Sequence, residues 1–495
     1  MIERWQDTIL QAHLLGYQPK SLKALTTIFL GVDLDKTFVS ERKQVRYEER
    51  ADEVLEGCAR DAWATQALHQ LFYPEIERRG LLDLYRKELR VTRVLMDMQR
   101  AGMPLSQERV AIAEADAIRK MGRLEVELAE LGIEDPGDKT EIASKFWKGK
   151  ARKKTTKTGL STKAEHLREF ATAEQKPWVD KKIEWSQVDH FLSTYLSAWR
   201  GEDMLYPSLN QTGTMTWRFS CSDPNLQNVP KSIGTPLYQM FVAPEGYTWI
   251  SADYSQLELR MLAVLSGDAN LLGVFERGED LHALTISRIE WLRDLARGTE
   301  HEADFARRVA KIVNFGIPYK VSPKGLVENV TKEQTKMPQL PPKPLSFVLA
   351  RELIEGFYND YPDVLQWQEN QIAFGSEHGY VETQLGRPLY VPLLTVSDER
   401  LHSAGTRQAV CYPVQGGGAE IVKDGMLRCP KFLRMQVHDE LLYLARNQDV
   451  EEYKRHLAAE LPDNGYSIPF PVDIKVGRTW GAIKSIPDTL FEDGE

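Results

Sequence analysis

Two apolar stretches, far apart in the chain, each run up to a carboxylate, and this pairing constrains the fold more than any other feature. Tyr247 to Asp253 is β-branched and aromatic, after which Gln256 to Leu262 takes up a helical period. That pattern predicts strand, tight junction and helix, with Asp253 at the strand's end. Met435 to Leu444 predicts two short strands about a polar tip, His438, Asp439 and Glu440. Three adjacent polar groups at the tip of an apolar hairpin are costly unless they meet solvent or ions.

Composition decides what surrounds these strands. The 495 residues are 42% hydrophobic and 27% charged, an ordinary globular content sufficient for two to four domains with real cores. No apolar run approaches the roughly 18 residues of a spanning helix, so neither membrane insertion nor secretion is expected. Cys58, Cys221, Cys411 and Cys429 are widely spaced, which fits neither a disulfide framework nor a zinc site and points to a reducing cytoplasm. The net charge of −9 argues against nucleic-acid binding only as a sum. Between Lys139 and Arg168 the chain is strongly basic, through Lys145, Lys148, Lys150, Arg152, Lys153, Lys154, Lys157 and Lys163. With no apolar period at its centre, this stretch predicts an exposed loop between helices that meets phosphates, or else a solvated tether. Leu81 to Ala117 shows helical spacing through Leu89, Val91, Val94, Leu95 and Met98 that breaks at Ala101 to Pro104, which predicts a helix followed by a turn, and the prolines between Met337 and Pro344 predict a surface loop.

Two carboxylates at strand ends are what two-metal phosphoryl transfer requires, each bridging hard cations roughly 3.5–4 Å apart. Taken singly, an Asp after a strand is more often a cap or turn residue. In the segment Ala303 to Tyr319, Arg307, Lys311 and Phe315 are four apart, so a helix aligns two cations and a ring. Such a face can cradle a triphosphate and a base, or it can be the solvated side of an amphipathic helix. No Gly-x-x-x-x-Gly-Lys loop is present, so a P-loop is not supported.

These residues resemble the family A DNA polymerases. Thr212 to Lys231 (TGTMTWRFSCSDPNLQNVPK) is similar to the family's primer-template segment, and Asp253 to Arg260 (DYSQLELR) to its motif A. Arg307 to Tyr319 (RRVAKIVNFGIPY) is similar to motif B, and Gln436 to Glu440 (QVHDE) to motif C. The similarity runs in order from about Leu84 to Lys484. It implies DNA-directed DNA synthesis on primer-template DNA with dNTPs, using two magnesium ions for which manganese can substitute. Asp253 and Asp439, with the carbonyl of Tyr254, would hold the metals, and Glu440 would support them. Gln256, His282, Arg307, Lys311, Phe315 and Tyr319 would meet the nucleotide. Glu258 would lie under its sugar and exclude a 2′-hydroxyl, while Phe315 would discriminate against sugars lacking the 3′-hydroxyl. His438 would lie near the primer terminus, Arg218, Gln227, Arg407 and Gln415 would touch primer or template, and Lys153, Lys154 and Lys157 would meet DNA from the basic loop.

The implied fold is α+β, a right hand with an antiparallel palm sheet, helical fingers and a helical thumb. The expected divisions are 1–83, a truncated 3′–5′ exonuclease-like remnant; 84–204, the lead-in to the palm and a thumb with a basic tip; 205–277, palm with motif A; 278–389, fingers with motif B; and 390–495, palm with motif C. In the first segment only Asp7 to Leu10 and Cys58 to Thr65 match, Asp61 at a carboxylate position and Gly57 where the family has tyrosine. Proofreading is therefore expected to be absent or supplied by a separate exonuclease polypeptide, other replication proteins being further expected partners. A viral or mobile-element source in a bacterial cytoplasm fits this compact form. Departures from the pattern are Trp217 for glycine, Cys411 for asparagine, and Pro318, which predicts that the motif B helix ends before Tyr319 with Ile317 out of helical conformation. The rival readings are a single-subunit RNA polymerase, which Glu258 opposes, and a non-catalytic DNA-binding relative, which retention of Asp253, Glu258, Lys311, Asp439 and Glu440 opposes.

Overall fold

The computed structural model describes residues 5–34, 51–150, 154–156, 159–230, 237–337, 340 and 344–485. Its centre is a four-stranded antiparallel sheet of β1 (Tyr247–Tyr254), β2 (Leu433–Val437), β3 (Glu440–Arg446) and β4 (Val472–Gly477), in the order β2-β3-β1-β4. β1 is flanked on both edges, and alternate residues enter different cores. Ile250 and Ala252 join one core with Leu441 and Tyr443, while Trp249 joins another with Leu442, Leu444, Met435 and Val437. Burial on both faces is why these strands read as continuous apolar runs rather than as an alternation.

Helices surround the sheet: α1 (Ala51–Arg78), α2 (Leu82–Ala101), α3 (Gln107–Glu130), α4 (Lys176–His190), α5 (Leu257–Ser266), α6 (Leu281–Arg288), α7 (Glu300–Gly316), α8 (Pro362–His378) and α9 (Glu399–Arg428). Helix α7 opens with a capping box, in which Thr299 and Glu302 each satisfy the other's backbone. It buries Phe305, Val309 and Val313, which leaves Arg307, Lys311 and Phe315 on its exposed side. The long α9 passes close over α5 at Gly417, where a Cβ would come within 2.6 Å of the Met261 sulfur. No described helix is long and apolar enough to cross a membrane.

The basic segment differs from the exposed loop expected of it. Thr155 and Thr156 pair with Leu160 and Gly159 as a short hairpin, and Lys154 is half-buried with its ammonium 5.9 Å from the Phe170 ring centroid. The long lysine stem covers an aromatic face, which sequence periodicity does not register. Lys153 and Lys157 lie outside the described residues.

A fully buried ionic network joins α2 and α9. Glu88 of α2 accepts from Arg387 at 2.7 Å, from Lys423 of α9 at 2.8 Å and from Gln211 at 2.8 Å; Arg387 also meets Glu420 at 3.0 Å. None of the four charged side chains is more than 1% exposed. Burial alone would raise the Glu88 pKa, but Lys423 and Arg387 outweigh it and hold the carboxyl at about 2. Removing one partner strands the others without solvent. Glu88→Gln is therefore expected to lower unfolding free energy by about 3 kcal/mol or more, measured by urea denaturation. A loss below about 1 kcal/mol would mean that water replaces the lost charge.

Candidate active site

The sheet's register assembles the carboxylates. Glu440 of β3 and Asp473 of β4 are paired with Asp253 on opposite sides of β1, and the Tyr254 amide donates to the Asp439 carbonyl at 3.1 Å. The β2–β3 turn is tight enough to put His438 at φ 56°. Asp253 and Asp439 thus come together at one end of the sheet, with Tyr254 as the last residue of β1. Burial pushes the Asp439 carboxyl up to about 6; Arg218 opposes this, while Glu258 and Asp253 add to it. Carboxylates whose like charges repel in this way suit a divalent cation, which would relieve the repulsion, although among the described residues no three such ligands converge on one point. Glu440 is 2% exposed and committed elsewhere, accepting from the Ser251 hydroxyl and pairing with Lys484 at 2.6 Å.

Above the carboxylates runs a polar chain. Arg218 ion-pairs with Glu258 and lies 3.8 Å from Asp439. The Tyr319 hydroxyl donates to Glu258 at 2.8 Å and accepts from Gln415 at 2.7 Å. Helix α7 does end at Gly316, but Ile317 keeps helical dihedrals of −68° and −43°, contrary to the expectation from Pro318. The reason is partly local and partly tertiary. The Tyr319 and Lys320 amides donate to the Gly316 and Ile317 carbonyls at 3.1 and 2.9 Å, Gln368 adds a second bond to the Ile317 carbonyl at 2.9 Å, and the Cys411 thiol lies 3.6 Å from the Pro318 carbonyl. One further turn thus follows α7 and delivers Tyr319 to Glu258.

On one side of this chain an open cleft of about 760 Å³ is lined by Gln256, His282, Arg307, Lys311 and Phe315, with Asp473 at its edge. Arg307 pairs with Asp280 at 2.8 Å, and Asp280 also caps α6 by accepting from the His282 amide at 2.9 Å. Asn314, oriented by Thr285, donates to His282 Nδ1 at 2.9 Å. Burial lowers the His282 pKa to about 4, so the ring is neutral. The network assigns its proton to Nε2, which makes it a donor. On the other side a smaller cleft of about 270 Å³ is lined by Trp217, Arg218, Gln227, Gln436, His438 and Asp439, with Gln227 donating to Gln436 at 3.0 Å. Exposed Arg407 borders a third cleft with Phe315 and Tyr319, and Lys154 lines none of the three.

Sequence reasoning missed Asp280, Asn314, Asp473, Ser251 and Lys484. Asp280 carried a legible signal, an acidic N-cap directly before an apolar helix start. The others gain their roles from strand register and buried neighbours, which no local pattern encodes.

Comparison with known proteins follows the same lines. The model of DNA polymerase family A matches residues 116–482. The thermostable DNA polymerase I of Thermus aquaticus is 33% identical over 430 residues, covering 82% of this chain and 49% of that protein. DNA polymerase I of Chloroflexus aurantiacus is 31% identical over 524 residues, covering 96% of this chain and 52% of that protein. The chain thus spans about half the length of the curated relatives it matches. Among solved structures, the polymerase domain of Pol1 from M. smegmatis, in complex with DNA primer-template and dNTP, superposes with a TM-score of 0.78 at 25% identity over 97% of this chain and 82% of that one. A palm sheet carrying Asp253 beside Asp439, a cationic helix face across the cleft and a family match over most of the sequence lead to one conclusion: the chain belongs to DNA polymerase family A.

Proposed function

We propose that this chain is a DNA-directed DNA polymerase, extending a primer 3′ end with dNTPs by two-metal nucleotidyl transfer and releasing pyrophosphate. The observation that carries this reading is that Asp439, beside Asp253 at the end of the sheet, lines one cleft with Arg218, Gln227 and His438, while Asp473, the cross-strand partner of Asp253, lines the other with Arg307 and Lys311. The first has the chemistry for a primer terminus and the second for a triphosphate. A relative of the same fold, solved with primer-template and dNTP, supports the assignment.

Each residue has a physical task under this reading. Lys311 and Arg307 hold the triphosphate through charge-assisted hydrogen bonds, and neutral His282 offers its Nε2–H to a phosphate oxygen. Glu258, fixed by Arg218 and Tyr319, occupies the space a 2′-hydroxyl would need. Phe315, partly exposed at the cleft, packs on the sugar and base. Two magnesium ions, or manganese in their place, held by Asp253, Asp439 and the Tyr254 carbonyl with Glu440 in support, would supply charge neutralisation at the reacting phosphate and activate the primer oxygen. Arg218, Gln227, Gln415, Arg407 and His438 contact the primer-template, chiefly through backbone and minor groove, which suits an enzyme that must accept every sequence. Residues 1–83 serve as scaffold, and any proofreading depends on a separate chain.

Asp253→Asn and Asp439→Asn are expected to reduce single-nucleotide extension to background while primer-template affinity, read by fluorescence anisotropy, is retained. Normal extension by either variant would refute the metal assignment. Lys311→Ala is expected to cost on the order of a hundredfold or more in kcat, since it removes charge stabilisation aimed at the transferring group. An unchanged kcat would return α7 to the role of a solvated helix. Replacing Lys153 and Lys154 together by alanine should weaken DNA binding and flatten the slope of log affinity against log salt. An unchanged slope would move the DNA path away from the basic hairpin.

A further inference from the structure

Trp217 occupies a position that ought to reject it. Its φ is 62°, the left-handed region that glycine enters freely and bulky residues rarely adopt. The side chain is nonetheless 1% exposed, in one apolar core with Leu10, Leu14 and Leu15 from the N-terminal segment. The His13 ring stacks on it, centroids 4.1 Å apart, and the Arg387 and Lys423 cations lie 4.3 and 5.0 Å from its centre. A second contact from the same segment, Lys20 donating to the Thr212 carbonyl, fixes the start of this loop. Within the loop the Thr214 hydroxyl donates to the Arg218 carbonyl at 2.7 Å.

The next residue after Trp217 is Arg218, whose guanidinium reaches Glu258 and approaches Asp439. Glu258 has one oxygen on Arg218 and the other on Tyr319. A carboxylate tied at both oxygens is held in one orientation, and release by Arg218 leaves the Tyr319 bond as the remaining one of the two. The backbone strain at Trp217 is sustained only because surrounding packing over-determines it. That packing comes in part from residues 10–20.

We infer that Trp217, clamped by His13, is a positioning residue for Arg218 and through it for Glu258, so that the N-terminal segment sets the site's selectivity for deoxyribose over ribose. This rests on the polymerase reading above and assigns the segment a part in substrate choice beyond that of scaffold. Loosening the clamp lets residue 217 relax, shifts Arg218 and frees Glu258 to swing from the space beneath the sugar. The expected signature is a changed ratio of substrates, which a loss of stability alone does not produce.

The test is single-nucleotide insertion by the full chain with magnesium, comparing one dNTP with its matching rNTP for the wild type, His13→Ala, Trp217→Ala and Trp217→Phe, with Tm recorded for each. Alanine lacks the clamped ring and is itself strained at positive φ, whereas glycine would hold that conformation freely; His13→Ala removes the clamp while leaving Trp217 in place, so it keeps the question open to measurement if Trp217→Ala folds poorly. Both are expected to lower the ratio of kcat/KM for dNTP to that for rNTP by about tenfold or more, and Trp217→Phe to restore most of it. An equal fall for both nucleotides with a lower Tm, or an unchanged ratio in His13→Ala, would overturn the inference. A wild-type chain unable to extend the primer would overturn the polymerase reading and this inference with it; an active wild type with an unmoved ratio in the variants would overturn this inference alone.

Discussion

The antiparallel ladder of β1 with β3 and β4 is the constraint on which the site depends. It sets Glu440 and Asp473 opposite Asp253, and through the Tyr254 amide it ties the strand's end to Asp439. Side-chain direction alternates along a strand, so a slip of one residue would turn Asp253 to the other face. The two cores on the faces of β1 forbid that slip, because Ile250 and Trp249 would exchange environments. Packing far from the chemistry thereby fixes which way the carboxylate points.

The same logic extends outward. Helix α7 presents Arg307, Lys311 and Phe315 to the cleft because Phe305, Val309 and Val313 anchor its other face. The buried network of Glu88, Arg387, Glu420 and Lys423 joins α2 and α9 beside the loop that carries Arg218, and both of its cations face the Trp217 ring. Charges buried this completely hold one another in place, because removing one leaves the others without solvent to replace it. The loop carrying Arg218 is accordingly set by this network and by His13.

Much of this was legible in the sequence. The strand ending at Asp253 and the hairpin about Asp439 were readable because apolar β-rich runs stop abruptly at polar groups, and α7 because its cations recur every four residues. What was not legible depends on contacts between distant segments. Pro318 argued for a non-helical Ile317, yet Gln368 and Cys411 support the turn and Tyr319 reaches Glu258. Lys154 lay in an aperiodic basic run, yet it folds over Phe170. Trp217 in place of glycine looked like an isolated departure until its positive φ and its stack on His13 gave it a reason.

If the clefts at the Asp253–Asp439 end of the sheet join a primer end to a nucleotide under template direction, the full chain, incubated with a labelled primer on a DNA template, magnesium and one dNTP at a time, adds only the nucleotide complementary to the next template base. A chelator should abolish that addition, and the matched ribonucleotide should be strongly disfavoured. Addition independent of the template, or none with any nucleotide in magnesium or manganese, would rule out a templated polymerase site here.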